Sequence, residues 1–179
     1  MNLRVCFFLL LVFFWFSARG QKYTLERSRV IFFSAGAIED IRAENIKTSS
    51  IFNVSTGEVV FLVPISDFEF EKELMKEHFN EKYLETEKFP KAIFQGKFLN
   101  VKSDQVGEQV VKASGRLTIH GVTKEVDFAG TIDIKPNQII ARSKFKIRLE
   151  DYKIKIPQLV WQNIAEELEV TVEFYYKPQ

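Results

Sequence analysis

The chain has 179 residues, 46% hydrophobic and 27% charged, and its 25 basic residues nearly cancel 24 acidic ones. That balance speaks against nucleic acid as a partner, which calls for a basic face. With one cysteine there is no disulfide framework, so a core has to hold by burial alone.

Residues 1–20 read as a signal peptide. Arg4 precedes an unbroken apolar run, Val5 to Phe16, and Ala18 and Gly20 are small residues where a signal peptidase reads, which predicts cleavage before Gln21. The run has 12 residues, against about 20 for a membrane-spanning helix. Cys6 lies inside it without a lipobox, so lipid attachment is not expected. Removing 1–20 leaves 23 basic and 24 acidic residues in one domain, 21–179, expected in the periplasm or secreted.

From there the chain alternates strands with turn chemistry. Arg29 to Ala35 is the first clear strand, with Val30, Phe32 and Ser34 on one side. Ile41 to Phe52 is the next extended region, and Asn53 to Gly57 turns it into a strand from Glu58 to Pro64. Asn53-Val54-Ser55 is a formal glycosylation sequon and, in a bacterial protein, simply a turn. The stretch Glu71 to Gly96 opens on helical spacing: Leu74, Met75, His78, Phe79 and Tyr83 share one stripe opposite Glu73, Lys76, Glu77, Glu81 and Lys82. Phe89-Pro90 then forces the chain extended into a strand from Lys91 to Val101. Gln109 to Ile119 and Val122 to Ile134 form a hairpin around His120-Gly121, and Lys135-Pro136-Asn137 turns into Gln138 to Leu149.

The last two strands carry opposite charge. Arg142, Lys144, Lys146 and Arg148 occupy the outer face of one, and Glu167, Glu169 and Glu173 that of the other. Paired, they would complement each other across the sheet. Pro157 and the cluster Leu159-Val160-Trp161 predict a short helical turn between Tyr152 and Glu166. Clean period-2 alternation favours antiparallel strands, and seven or eight of them with one helix suggest a closed barrel or a sandwich. The helix would cover one open end.

Catalysis finds little support. His78 sits on the helical stripe, His120 at a hairpin tip, and no nucleophile elbow is present. Glu77, His78 and Glu81 lie within one helical turn, but only His78 and Glu81 share a face, two ligands where zinc takes three or four. Neither a metal, a cofactor nor an enzymatic activity is expected.

Four stretches in order, Leu74 to Gly96, Ala113 to Phe128 (ASGRLTIHGVTKEVDF), Ile140 to Pro157 and the alternating final strand, resemble the YceI-like family of exported bacterial proteins. The resemblance is closest to a Bacteroidetes-type branch: Tyr23 stands where many members carry a tryptophan, and an Arg-Asp step before the helix is replaced by Phe70-Glu71-Lys72-Glu73. It implies an all-β fold, an eight-stranded antiparallel lipocalin-like barrel, that holds a polyisoprenoid or isoprenoid quinone for storage or transport.

On that basis the expected ligand walls are Phe32, Phe61, Phe94, Phe98, Leu117, Phe128, Phe145, Ile147, Val172 and Phe174, with Leu74, Met75, Phe79 and Tyr83 as the cover at one mouth. The alternatives are a solid barrel acting as an interaction or stress-response module through the basic row Arg142 to Arg148, or a binder of a fatty acid or fatty amide. Transient membrane contact is compatible with either role. Oligomeric state, monomer or homodimer, stays open at this level, as does whether the barrel is hollow or filled.

Overall fold

The computed structural model describes residues 23–36, 39–156 and 165–178. Its strands are β1 (Tyr23–Ser34), β2 (Ile41–Asn45), β3 (Ser49–Phe52), β4 (Glu58–Pro64), β5 (Glu69–Phe70), β6 (Lys91–Leu99), β7 (Gly107–Ile119), β8 (Val122–Lys135), β9 (Gln138–Arg148) and β10 (Glu167–Pro178). Eight of them close a ring in the order β1-β3-β4-β6-β7-β8-β9-β10, with β10 antiparallel to β1 from Tyr23↔Pro178 to Phe33↔Glu169. β2 and β5 extend the sheet beside the far half of β1. The fold is a closed eight-stranded antiparallel barrel with one short helix.

Closure follows from the alternation. Ser28, Val30, Phe32 and Ser34 of β1 are buried, as are Phe94 and Phe98 of β6, Val111, Leu117 and Ile119 of β7, and Val170, Phe174 and Tyr176 of β10. Each set has the two-residue period of one strand face. Between β7 and β8 the loop is two residues, and both His120 (φ 49°) and Gly121 (φ 71°) take positive φ, the geometry of a type I′ hairpin. A Cβ on Gly121 would lie 2.6 Å from the Phe89 ring, which packs on the turn and lies 4.6 Å from the His120 ring.

Three elements differ from expectation. β1 begins at Tyr23, six residues before Arg29, and absorbs a bulge between Leu25 and Arg27. The extended region Ile41 to Phe52 is two strands, broken where buried Asn45 turns from the ladder. Its Oδ1 accepts from the Lys47 amide at 2.8 Å and its Nδ2 donates to the Pro64 carbonyl at 2.7 Å, while the Thr48 amide donates to Ser28 Oγ at 3.2 Å. These bonds take up the Asn45 side chain and the Lys47 and Thr48 amides at a corner without a ladder, while the buried Thr48 hydroxyl makes no hydrogen bond. A 3₁₀ turn falls at Leu149–Tyr152, just ahead of the region where a helical turn was expected. Pro157 and Leu159-Val160-Trp161 lie outside the described residues.

β9 and β10 do pair, and their charges meet. Arg142 bonds Glu173 at 3.2 Å, Lys144 reaches Glu169 and Lys146 reaches Glu167, both at 2.8 Å, and Arg148 turns to Glu150. Exposed pairs of this kind contribute little stability individually. What they do is occupy the whole basic row.

Candidate functional site

The inside of the barrel has two unlike ends. Near Tyr23 and Pro178 it is filled: Ile132, Ile139 and Tyr176 have no exposure, and Tyr176 packs on Phe52, which packs on Phe98. The Tyr176 hydroxyl meets Ser50 Oγ at 2.7 Å, and burial pushes its ionisation well above the usual phenol value. Above this plug, Phe61 and Phe174 reach across the barrel from β4 and β10 and stack at 4.1 Å. They floor a cavity of about 180 Å³. Cavities of similar size lined by Leu, Ile and Phe stay dry and admit a ring-sized apolar guest.

All ten expected wall residues line this cavity: Phe32, Phe61, Phe94, Phe98, Leu117, Phe128, Phe145, Ile147, Val172 and Phe174. Among the described residues the only charged one at its boundary is Arg142, on the outward register of β9 with its guanidinium held by Glu173. Apolar side chains from every strand of the ring except β3 converge here because the inward positions of each strand carry them.

A second cavity of about 190 Å³ lies under the helical segment. Phe32, Phe79, Leu84, Leu149, Ile154 and Leu168 belong to the linings of both, so the two abut. Ser34, His78 and Tyr83 bring polar groups to the second, and burial raises the Tyr83 phenol above its ordinary value, keeping it protonated and able to donate. Among the described residues, neither carboxylates nor lysines or arginines line it.

The helical cover is α1 (Glu73–His78) followed by a π turn, Phe79–Tyr83. Met75 and Tyr83 line the second cavity, and Phe79 lines both, its ring stacked on Phe32 at 5.3 Å and packed against Phe68 and Phe70 at 5.8 and 5.0 Å. Leu74 does not join them. It is 61% exposed and lines neither cavity. At about 100° per residue it stands ~140° around the helix from Phe79, at the margin of the stripe. Its place is taken by Leu84, 7% exposed, which the π turn carries inward. Ile65, Phe68 and Leu84 are site residues that strand periodicity did not reveal, since they sit in a 3₁₀ turn, its exit and a helix end. Phe68 and Leu84 stood out only as apolar residues in polar segments, and Ile65 only as the end of the apolar run from Val59.

The two histidines have separate roles in the architecture. His78 faces the second cavity while Glu77 and Glu81 are exposed, so the helical triplet does not converge. Among the described residues no group of three or more potential ligands surrounds a metal-sized space. His120 bridges three segments, with Nδ1 3.2 Å from the Tyr152 carbonyl and Nε2 3.1 Å from Glu85 Oε2. Lys88 and His120 together hold the Glu85 carboxyl below its usual range. This latch fastens the end of the cover to the β7–β8 turn.

A family model described as the YceI-like domain matches residues 24–176. The chain belongs to the YceI-like family. Among solved structures, a polyisoprenoid binding domain from Saccharophagus degradans, implicated in plant cell wall breakdown, superposes with a TM-score of 0.76 at 16% identity, covering 89% of this chain and 99% of that one. BcnA from Burkholderia cenocepacia superposes at 0.70 with 14% identity, over 83% and 95% of the two chains. A YceI protein from Campylobacter jejuni follows at 0.60 and 16%, over 74% and 81%. At these identities the likeness is one of fold. Comparison with curated proteins finds no match. No helix among the described residues of this YceI-like protein is long and apolar enough to cross a membrane.

Proposed function

We propose that this protein is an exported carrier or store of a long, neutral-headed apolar lipid, a polyisoprenoid alcohol or isoprenoid quinone, held in the hollow end of the barrel. The observation that carries this is the cavity above Phe61 and Phe174, walled by apolar side chains with no inward charge among the described residues. Burying one five-carbon isoprene unit is worth roughly 3–4 kcal/mol gross, and association costs on the order of 4–15 kcal/mol. Several units in dry surroundings therefore bind without an ionic anchor.

The second cavity supports a neutral head. Ser34, His78 and the protonated Tyr83 offer hydrogen bonds to a hydroxyl or a quinone carbonyl. A fatty acid would bring a carboxylate, and a prenyl phosphate a larger charge, to a lining that among the described residues has no lysine or arginine. Because the cavities abut at Phe79, a long chain would run from one to the other past that ring. The polyisoprenoid description of the Saccharophagus domain points the same way. The rival docking reading finds its basic row already paired to Glu173, Glu169, Glu167 and Glu150. No cofactor or catalytic role is part of the proposal, and the leader-type residues 1–20 support export.

The test is to express the protein with its leader, recover the exported form and extract it with organic solvent. Mass spectrometry is expected to find a stoichiometric neutral isoprenoid and a mature N-terminus at Gln21. Recovery of only membrane phospholipid traces, or of a charged lipid, would reject the neutral-head reading.

A further inference from the structure

The wall of the hollow end has a gap. β8 and β9 pair only from Gly130↔Ser143 to Lys135↔Gln138, although β8 starts at Val122 and β9 continues to Arg148. On their other sides both strands stay paired: β8 with β7 down to Ile119↔Val122, and β9 with β10 up to Glu167↔Arg148. Continuing the register would set Ala129 opposite Lys144 and Phe128 opposite Phe145, yet the ladder stops one step earlier. In its place Ser143 Oγ donates to the Ala129 carbonyl at 2.6 Å, and the rings of Phe128 and Phe145 stack at 3.8 Å.

The gap has a closed frame. At its far end the Lys124 ammonium pairs with Asp151, and His120 holds the Tyr152 carbonyl, so the segment after β9 is tied to the start of β8. A closed barrel normally abolishes sheet edges. This one keeps two short edges facing each other and fills the space between them with two aromatic rings. Both rings are half-buried, and both line the cavity. They are the place where the inner surface and the outer surface of the wall are one side chain thick.

We propose that this β8–β9 window is the port through which the apolar ligand enters and leaves, with Phe128 and Phe145 as its gate. Turning two half-exposed rings is a side-chain motion that leaves every ladder intact. Leaving by the helical mouth instead requires parting Phe79 from Phe32, Phe68 and Phe70 and loosening the Glu85–His120 latch. The window is the easier path. The nature of the cargo rests on the lipid reading above, whereas the route rests on the pairing of β8 and β9.

Nile red, a neutral dye that enters dry apolar cavities, reads the route without the natural ligand. In the chain lacking residues 1–20 there is no cysteine, so A129C/K144C places one thiol on each rim, outside the cavity. Bridging them with a short bis-maleimide is expected to slow dye uptake and release about tenfold, with equilibrium affinity unchanged and the unbridged protein as its own folding control. F145A is expected to speed release by about as much, since the stacked pair then no longer closes the gap. Dye exchange at the unbridged rate after bridging, release unmoved by F145A, or no dye uptake by the unsubstituted protein each overturns the port. Gated dye exchange in a protein that yields no isoprenoid would sink the lipid reading and leave the port standing.

Discussion

The plugged and hollow ends of the barrel use the same strands and much the same residues, yet one is solid and the other is a container. At the plug, rings and branched side chains meet in the middle: Tyr176 against Phe52, Phe52 against Phe98, Ile132 and Ile139 without exposure. Beyond the stacked Phe61 and Phe174 the side chains leave a cavity open between the walls. At that end β2 and β5 add wall beside β1, where the helix sits. The lesson is that a Phe-rich inward face does not by itself mean a filled core.

The sharpest way to break that comparison is to delete the same side chain at each end. Ile132→Ala in the plug is expected to cost about 2–5 kcal/mol, transfer plus a cavity the packed neighbours cannot collapse. Ile147→Ala in the half-buried wall is expected to cost ~1 kcal/mol, because much of that surface already faces empty space or solvent. Urea denaturation measures both. Equal costs would show that the hollow end is as tightly supported as the plug, and the division would fall.

A smaller effect separates polar support from packing at the plug. Tyr176→Phe keeps the ring and strands the Ser50 hydroxyl, and it is expected to cost about 1 kcal/mol. Nile red affinity should not change, since Tyr176 lines neither cavity. A weakened affinity would mean that the floor at Phe61 and Phe174 transmits strain into the container.

Legibility in the sequence follows the same divide between regular and irregular elements. The ring strands and their inward faces were readable because period-2 alternation reports burial directly, which is why the wall positions from Phe32 to Phe174 all reach the cavity. The cover was readable as a stripe but not in phase. Leu74 already stood at the margin of the stripe by α-helical spacing, and the π turn at Phe79–Tyr83 then brings Leu84 inward, an insertion that no spacing rule announces. The break at Asn45 depends on side-chain bonds to Lys47 and Pro64, the second of them 19 residues away. The β8–β9 gap was invisible for a different reason: alternation fixes which way a side chain points, while where a ladder stops is decided between strands.

The smallest predicted effect concerns the latch at the mouth, and it distinguishes that end from the plug by pH. Glu85 accepts from Lys88 and from His120, and both hold its carboxyl below the ordinary value of 4.5. A carboxylate that bonds in its charged form only in the folded chain adds stability that is fully present above the unfolded value. That stability is lost as pH falls through the lower, folded value. The urea midpoint of the unsubstituted protein should therefore exceed that of Glu85→Gln near neutral pH and converge with it in acid. Asp151, held low by Lys124, titrates in both proteins and cancels in the difference. Tyr176→Phe should instead run parallel to the unsubstituted protein across this range, because a buried phenol carries no charge there. If Glu85→Gln also runs parallel, the latch contributes nothing to holding the cover, and Phe79 with its ring of aromatic neighbours closes the mouth by packing alone.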